Sequence, residues 1–418
     1  MSLLPRLLAS VSLACATPVA AQSLQLLSPE TVSATGTISL AATNGEGSWV
    51  NGGFGKLSTS GSDGEFKIKP LLSEANLIWQ PRFGWALSGT VVGTFHGGER
   101  NDVGISEAFL SYKPLGAPAT KISARAGLMW PPVSLEHEGA DWHVRDTITP
   151  SAINSWIGEE VRPVAVEATV SRHLGEHQLS ATAAVFAAND TAGTLLTFRG
   201  WALHDRKTIA FRRQPLPPFE EEDEGYQAHF THPLLDVAPG FADRPGYYAK
   251  LAWQPPVPIR VELFHYDNRA NPEDVNQDVE WGWRTHFTNA GVAAEVAGTQ
   301  VRAQAMTGRT RMGMLEEGRR WIDMRFRSAF LLVTRPVGSF GIAGRVEAFG
   351  TRHKGSWWGG EYDENGWAAT LSGKRDFGRV TGLVELIHVA SDNPAREHVG
   401  IDPQQEQTRL RADLRLRW

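Results

Sequence analysis

Along most of the chain, apolar and polar residues exchange at every second position. The closing stretch TRLRADLRLRW sets Leu410, Ala412, Leu414 and Leu416 between Arg409, Arg411, Asp413, Arg415 and Arg417, and stops on Trp418. Near the start, Val32, Ala34, Gly36, Ile38 and Leu40 alternate with Ser33, Thr35, Thr37 and Ser39. Further on, Phe83, Trp85, Leu87, Val91 and Phe95 share one face against Ser88, Thr90 and Thr94. Ile122, Ala124, Ala126 and Leu128 oppose Ser123 and Arg125, and Ile322, Met324, Phe326 and Phe330 oppose Asp323, Arg325 and Arg327. Such a period marks a half-buried strand. It predicts sixteen strands, roughly 31–42, 68–79, 83–95, 103–113, 121–130, 161–173, 177–187, 246–254, 258–267, 279–296, 299–308, 320–334, 339–351, 366–374, 379–391 and 406–418.

The connections fall into two kinds. Pro81-Arg82, Leu174 to Glu176, Gln254 to Val257, Ala297-Gly298, Arg335 to Ser339 and Arg375 to Gly378 read as tight turns. Segments 43–67, 96–102, 131–160, 188–245, 268–278, 309–319, 352–365 and 392–405 read as long polar loops. Short and long alternate, which is the signature of an outer-membrane barrel with short periplasmic turns, long extracellular loops and an even strand number. Segment 191–201 looks strand-like, but counting it in the wall would upset this order, so it is placed inside the fourth long loop. In 279–296 the apolar face runs through Val279, Trp281, Trp283 and Phe287, then slips to Ala290, Val292, Ala294 and Val296. The slip beside Asn289 and Gly291 reads as a bulge in one strand.

A β-sandwich also alternates. Here one face carries Ala, Gly, Val, Leu and Ile, with Tyr247, Trp253, Trp367 and Trp418 placed as interfacial girdle residues. The other face is charged in strand after strand, which suits a water-filled lumen. The expected fold is therefore all-β: a transmembrane antiparallel barrel, in which a closed ring of strands satisfies every backbone group inside lipid.

Composition adds little and contradicts nothing. There are 418 residues with formal net charge −5, so no nucleic-acid partner is implied. No run of 18 apolar residues follows the N-terminus, which excludes a helical membrane span. Residues 1–21 read as a signal peptide: Arg6, an apolar stretch from Leu7 to Ala16, and the small-residue site Val19-Ala20-Ala21. A lipoprotein signal at Cys15 is disfavoured because Ser12 stands where leucine is wanted. The barrel is then residues 22–418, free of cysteine, with net charge −6 after loss of Arg6.

Alternation assigns to the lumen Arg125, Lys250, Arg260, Arg284, Arg302, Arg325, Arg327, Arg345, Lys374, Arg409, Arg411, Arg415 and Arg417. The acidic set is Glu74, Glu107, Glu167, Glu262, Glu280, Asp323, Glu347, Glu385 and Asp413. Thirteen against nine suggests a mild anion preference. Pairing of opposite charges that holds the wall together, which Arg345 and Glu347 would suit, is an equal reading. Loop 131–160, a candidate constriction, holds Glu136, His137, Glu138, Asp141, His143, Arg145, Asp146, Glu159 and Glu160. Without defined ligand spacing this is read as a solvated or constricting loop rather than a metal site. Thr149-Pro150 predicts a short helix. Loop 188–245 carries Arg199, Arg206, Lys207, Arg212 and Arg213 before the acidic run Glu220 to Glu224. The basic run either draws anions to the mouth or is neutralised by its acidic neighbour, by lipopolysaccharide phosphates or by another subunit. No GxSxG, HExxH or P-loop occurs, so an enzyme is not expected.

The leader, the strand parity, ARAGLMWPPVSLEHEG, SAINSWIGEE, FRGWALHDRK and the terminal LRLRW together resemble phosphate-selective porins of the O and P type, nearest their α-proteobacterial relatives. The resemblance implies a homotrimeric outer-membrane channel, contact with lipid and lipopolysaccharide, and delivery of Trp418 to the barrel-assembly machinery. The family's arginine ladder and lysine cluster have no residue-by-residue match here, so phosphate selectivity does not carry over. The expected function is passive diffusion of small hydrophilic solutes without a cofactor. The alternatives are a substrate-specific uptake channel for phosphate, an organic acid or a sugar and, less favoured, a barrel-embedded enzyme.

Overall fold

The computed structural model describes residues 24–61, 65–98, 100–116, 119–219, 225–237, 244–357 and 360–418. The leader and the acidic run 220–224 lie outside the described residues.

Sixteen antiparallel strands close into one barrel. They are β1 (Val32–Thr43), β2 (Lys67–Trp79), β3 (Leu87–His96), β4 (Asp102–Tyr112), β5 (Thr120–Leu128), β6 (Val164–Leu174), β7 (His177–Ala187) and β8 (Gly246–Gln254). The second half comprises β9 (Ile259–Asp267), β10 (Arg284–Val296), β11 (Thr299–Glu316), β12 (Arg319–Val337), β13 (Phe340–His353), β14 (Glu364–Asp376), β15 (Val380–Asp392) and β16 (Gln404–Arg417). Each pairs with its sequence neighbour. The seam is shut by β16 on β1, from Thr43 opposite Arg409 to Thr35 opposite Arg417. Trp418 completes it: its amide donates to the Ala34 carbonyl at 2.9 Å and its own carbonyl accepts from the Ala34 amide.

The closing stretch shows how the alternation is used. Arg409, Arg411 and Asp413 are buried inside, whereas Leu410 and Leu414 are 49% and 52% exposed on the outside. Exposed aliphatics recur all round the outer wall, including Ile38, Leu40, Leu77, Leu251, Val346, Leu371 and Val384. Such a belt is stable only in lipid. Trp253 and Trp418 stand at the short-turn end, and Tyr247 and Trp367 at the long-loop end, all exposed. Both ends of the belt thus carry amphipathic rings suited to the headgroup layer.

Three local expectations fail, each for a physical reason. Segment 309–319 is not a long loop. Here β11 and β12 run on to a two-residue turn at Glu317 (φ 48°) and Gly318 (φ 78°), the double positive-φ geometry that matches strand twist. Segment 191–201 lies inside the fourth loop, where it was placed, but its strand-like stretch is the helix Thr194–Arg199. Finally, no bulge interrupts β10, whose register with both neighbours is continuous. Trp281 and Trp283 belong to the preceding loop and are buried. Within β10, Phe287 points in while Ala290 and Val292 point out. The apparent slip came from two apolar faces met one after the other.

Candidate functional site

The inside of the barrel is where charge and infolded chain meet. Segment 131–160 turns inward and ends in helix α1 (Ala152–Glu160), every residue of which is buried. Ser151, not Thr149, is its N-cap, accepting the Asn154 amide at 3.4 Å. The helix stops before Arg162-Pro163, where proline disfavours α geometry in the residue before it. Helix α2 (Thr194–Arg199), from the fourth loop, is buried beside it.

One side of this plug is aromatic. Trp156 of α1 packs edge-on against Trp201, Phe287 and Phe326, with ring centroids 5.1–6.0 Å apart. Tyr248, Phe264, Tyr266, Phe330 and Leu332 from the wall join the same cluster. Alternation had placed Ile322, Met324, Phe326 and Phe330 toward lipid, but they face inward and are buried. Consequently Arg325 and Arg327, expected in the lumen, are exposed on the outer wall. Arg284 and Asp323 also stand outside, each on the face opposite a buried neighbour, Thr285 for Arg284 and Met324 for Asp323. The inversion has one cause: this half of the inner wall is apolar because it packs on protein rather than on water. Sequence reasoning therefore missed Tyr266, Phe287 and Trp156, and the signal available was the size of the rings on one face.

The other side is ionic. Arg345 is fully buried and donates to Glu347 at 2.8 Å, Glu136 at 3.0 Å, and the Thr149 and Pro150 carbonyls at 2.7 and 3.0 Å. Glu347 accepts the Ala152 amide at 2.7 Å, and Glu136 accepts the Ser151 amide at 2.9 Å. Glu385 accepts the Ile148 and Thr149 amides at 2.7 and 2.9 Å, with Arg409 at 3.6 Å. Three carboxylates thus gather at the positive end of α1. At its other end Glu159 holds Arg199 through two 2.7 Å bonds and meets His204 at 3.3 Å. Burial would raise the Glu159 carboxyl, but Arg199 and His204 hold it at about 2. Glu160 accepts the Leu195 amide at 2.8 Å, and burial pushes its carboxyl up to about 7.

The remaining assigned residues divide as follows. Arg125 pairs with Glu167 on the inner wall at 2.8 Å, and Lys250 reaches Glu262 at 2.6 Å and the Pro132 carbonyl at 2.8 Å. Arg302 meets Asp146 of the infolded loop at 2.5 Å, while Arg145 donates to Gln300 at 2.6 Å. Arg411 is held between Asp413 and Asp205, both at 2.8 Å. Arg206 pairs with Asp102 inside. Arg212 and Arg213 are exposed, and Arg213 lies 3.2 Å from Asp278. Glu280 sits in the loop preceding β10, not in the wall, and bonds His232 at 2.7 Å. A small polar cleft lies at the end nearest the chain terminus. It is lined by Thr35, Glu74, Asp141, His143, Lys207, Arg415 and Arg417 among others. Arg415 there donates to the Val144 carbonyl at 2.6 Å, and Arg417 approaches His143 at 3.3 Å. Among the described residues no cluster of His, Cys, Asp and Glu suits a metal ion.

No family model matches the chain, and no curated protein matches it in sequence. Solved structures do match in shape. The outer membrane channel DcaP of Acinetobacter baumannii superposes with TM-score 0.56 at 12% identity, over 93% of this chain and 99% of that one. An anion-selective porin from Comamonas acidovorans gives 0.52 at 10% identity, with the same coverage. The chain is a bacterial outer-membrane β-barrel. A loop L8 deletion mutant of OmpT, an outer membrane protein of Vibrio cholerae, matches at 0.50 and 9% identity, over 93% and 99%. At these identities the likeness is one of fold. It agrees with the lipid-facing belt on a closed antiparallel barrel, the architecture that spans an outer membrane.

Proposed function

We propose that this barrel is an outer-membrane channel for small hydrophilic solutes, and that segments 131–160 and 188–219 form a plug which must shift before solute passes. The observation that carries this is the way the inner wall spends its charge. Arg302, Arg345, Glu347, Glu385, Arg409 and Arg411 are bonded to the infolded segments, so wall and plug were matched to each other. Passive diffusion remains the mechanism, with opening set by the plug. Two structural neighbours, an outer membrane channel and an anion-selective porin, agree with this reading.

A mild anion preference is assigned to Arg415 and Arg417. They line the open cleft and, among the described residues, bond a carbonyl or a histidine rather than a carboxylate. The infolded plug also favours a second reading, a substrate-specific uptake channel, since a solute that binds can offset the cost of moving the plug. Planar-bilayer recording tests both. Small ohmic steps that enlarge when residues 147–160 are deleted are expected for the first. Block by micromolar organic acid, phosphate or sugar would favour the second, and no conductance from either form would sink both. Assembly as a homotrimer and delivery of the exposed Trp418 to the barrel-assembly machinery belong to the same proposal. A native gel and a Trp418→Ala insertion assay test them.

A further inference from the structure

The arginines that alternation had placed in the pore do not stand alone on the outer wall. Across the strands His286 faces Arg309, Arg309 faces Arg325, and Arg325 faces Arg352. One row nearer the loops, Arg284 faces Arg311, which faces Asp323. One row nearer the chain termini stands Arg327, opposite Thr307 and Gly350. All these positions share the outward phase of β10 to β13.

Two carboxylates serve six guanidinium groups. Asp323 takes Arg309, and Asp267 lies 3.4 Å from Arg284. Among the described residues no carboxylate comes within ion-pair distance of Arg311, Arg325, Arg327 or Arg352. Neighbouring strands lie ~4.8 Å apart, and like charges directly opposite repel. The row is therefore unfavourable unless an anion shares it.

Its place identifies the anion. Just below, toward the short turns, the same outward face is apolar: Ala305, Ala329, Leu331, Val333 and Val346. The arginines thus sit at the upper edge of the lipid belt, at the long-loop end. The outward register that runs on from Arg327 and Gly350 continues through Asn365, Asp392 and Gln404, with no cation. Arginine presents a planar fork matched to phosphate oxygens. We propose that Arg311, Arg325, Arg327 and Arg352 bind the phosphate groups of a phosphorylated glycolipid of the outer leaflet, whose acyl chains lie along the aliphatic wall beneath.

The test uses the full chain, purified in a zwitterionic detergent, with diphosphoryl lipid A as probe and native mass spectrometry as readout. The wild type should retain diphosphoryl lipid A and lose it when the lipid's phosphates are removed. R325Q/R327Q/R352Q should retain it at least tenfold more weakly, about 1.4 kcal/mol, while keeping heat-modifiable mobility. Equal retention by the variant, or equal retention of dephosphorylated lipid by the wild type, overturns the proposal. So does a variant that keeps its lipid but falls from oligomer to monomer, which would assign the arginines to contact between copies. If the triple variant does not fold, R327Q and the wild-type comparison of the two lipids decide.

Discussion

Arg345 is the residue whose removal should open the barrel. It is fully buried, and its guanidinium joins wall to plug through Glu136, Glu347 and two loop carbonyls. Substitution by Met keeps much of the volume and removes these bonds, together with the one to Thr370 at 3.4 Å. Glu136 and Glu347 would keep the Ser151 and Ala152 amides but lose their counter-charge. Breaking a buried pair in this way costs about 3–5 kcal/mol, because the partner charge stays buried and uncompensated. The carboxylates escape that cost if the segment around α1 leaves the wall and water enters. The penalty therefore falls on the closed state, and about 3 kcal/mol shifts the closed-to-open ratio by roughly a hundredfold. Single-channel recording should show Arg345→Met open far more of the time than wild type. A cysteine placed at Ser155, buried in the closed form, should become reactive to a water-soluble thiol reagent in that variant. If conductance and Ser155→Cys labelling both match the wild-type background while Arg345→Met folds normally, the plug is not held by this network and the reasoning fails. Adding Glu347→Gln should recover part of the closure, since it removes one stranded charge.

Three further outcomes follow from the same geometry. The Glu160 carboxyl, pushed by burial from its ordinary 4.5 up to about 7, binds a proton in the closed form between those values. Closure is then strongest below pH 4.5, weakens by at most about 3 kcal/mol as pH rises to 7, and changes no further above. Asp190, raised to about 7 by burial and then by Asp236, acts in the same sense. Glu159, held at about 2, stabilises closure above pH 4.5 and loses that effect only as pH falls toward 2. Open probability should therefore climb between pH 5 and 7 and climb less in Glu160→Gln; a flat profile would refute the linkage. Leu331 faces lipid beside the inward Phe330, so Leu331→Lys should cost about 2–4 kcal/mol in urea unfolding if it lies near the bilayer midplane, and an unchanged midpoint would contradict the facing of β12. Arg415→Gln with Arg417→Gln should move the reversal potential in a salt gradient away from the anion value without changing heat-modifiable mobility.

The alternation of the chain by itself determined the barrel. Backbone groups in lipid need partners, lipid needs apolar neighbours, and an even ring with short and long connections meets both demands; the alternation is local, as in TRLRADLRLRW, and its repetition along the chain with the order of short and long connections gives the ring. The inward placement of Arg409, Arg411 and Asp413 follows from the same rule. What alternation could not decide is the phase of a strand whose two faces are both apolar. In β12 the inner face carries Met324, Phe326 and Phe330 and the outer face carries Ala329, Leu331 and Val333, interrupted by Arg325 and Arg327. Which side meets lipid depends on what fills the barrel at that height, and that filling is α1, brought there by a loop more than a hundred residues away in sequence. The tertiary structure thus turned part of an expected basic lumen into an aromatic core and set its arginines on the outer wall. It also gave the remaining charged lumen residues specific partners in the plug. Both results follow from long-range packing, which leaves no period in the sequence to read.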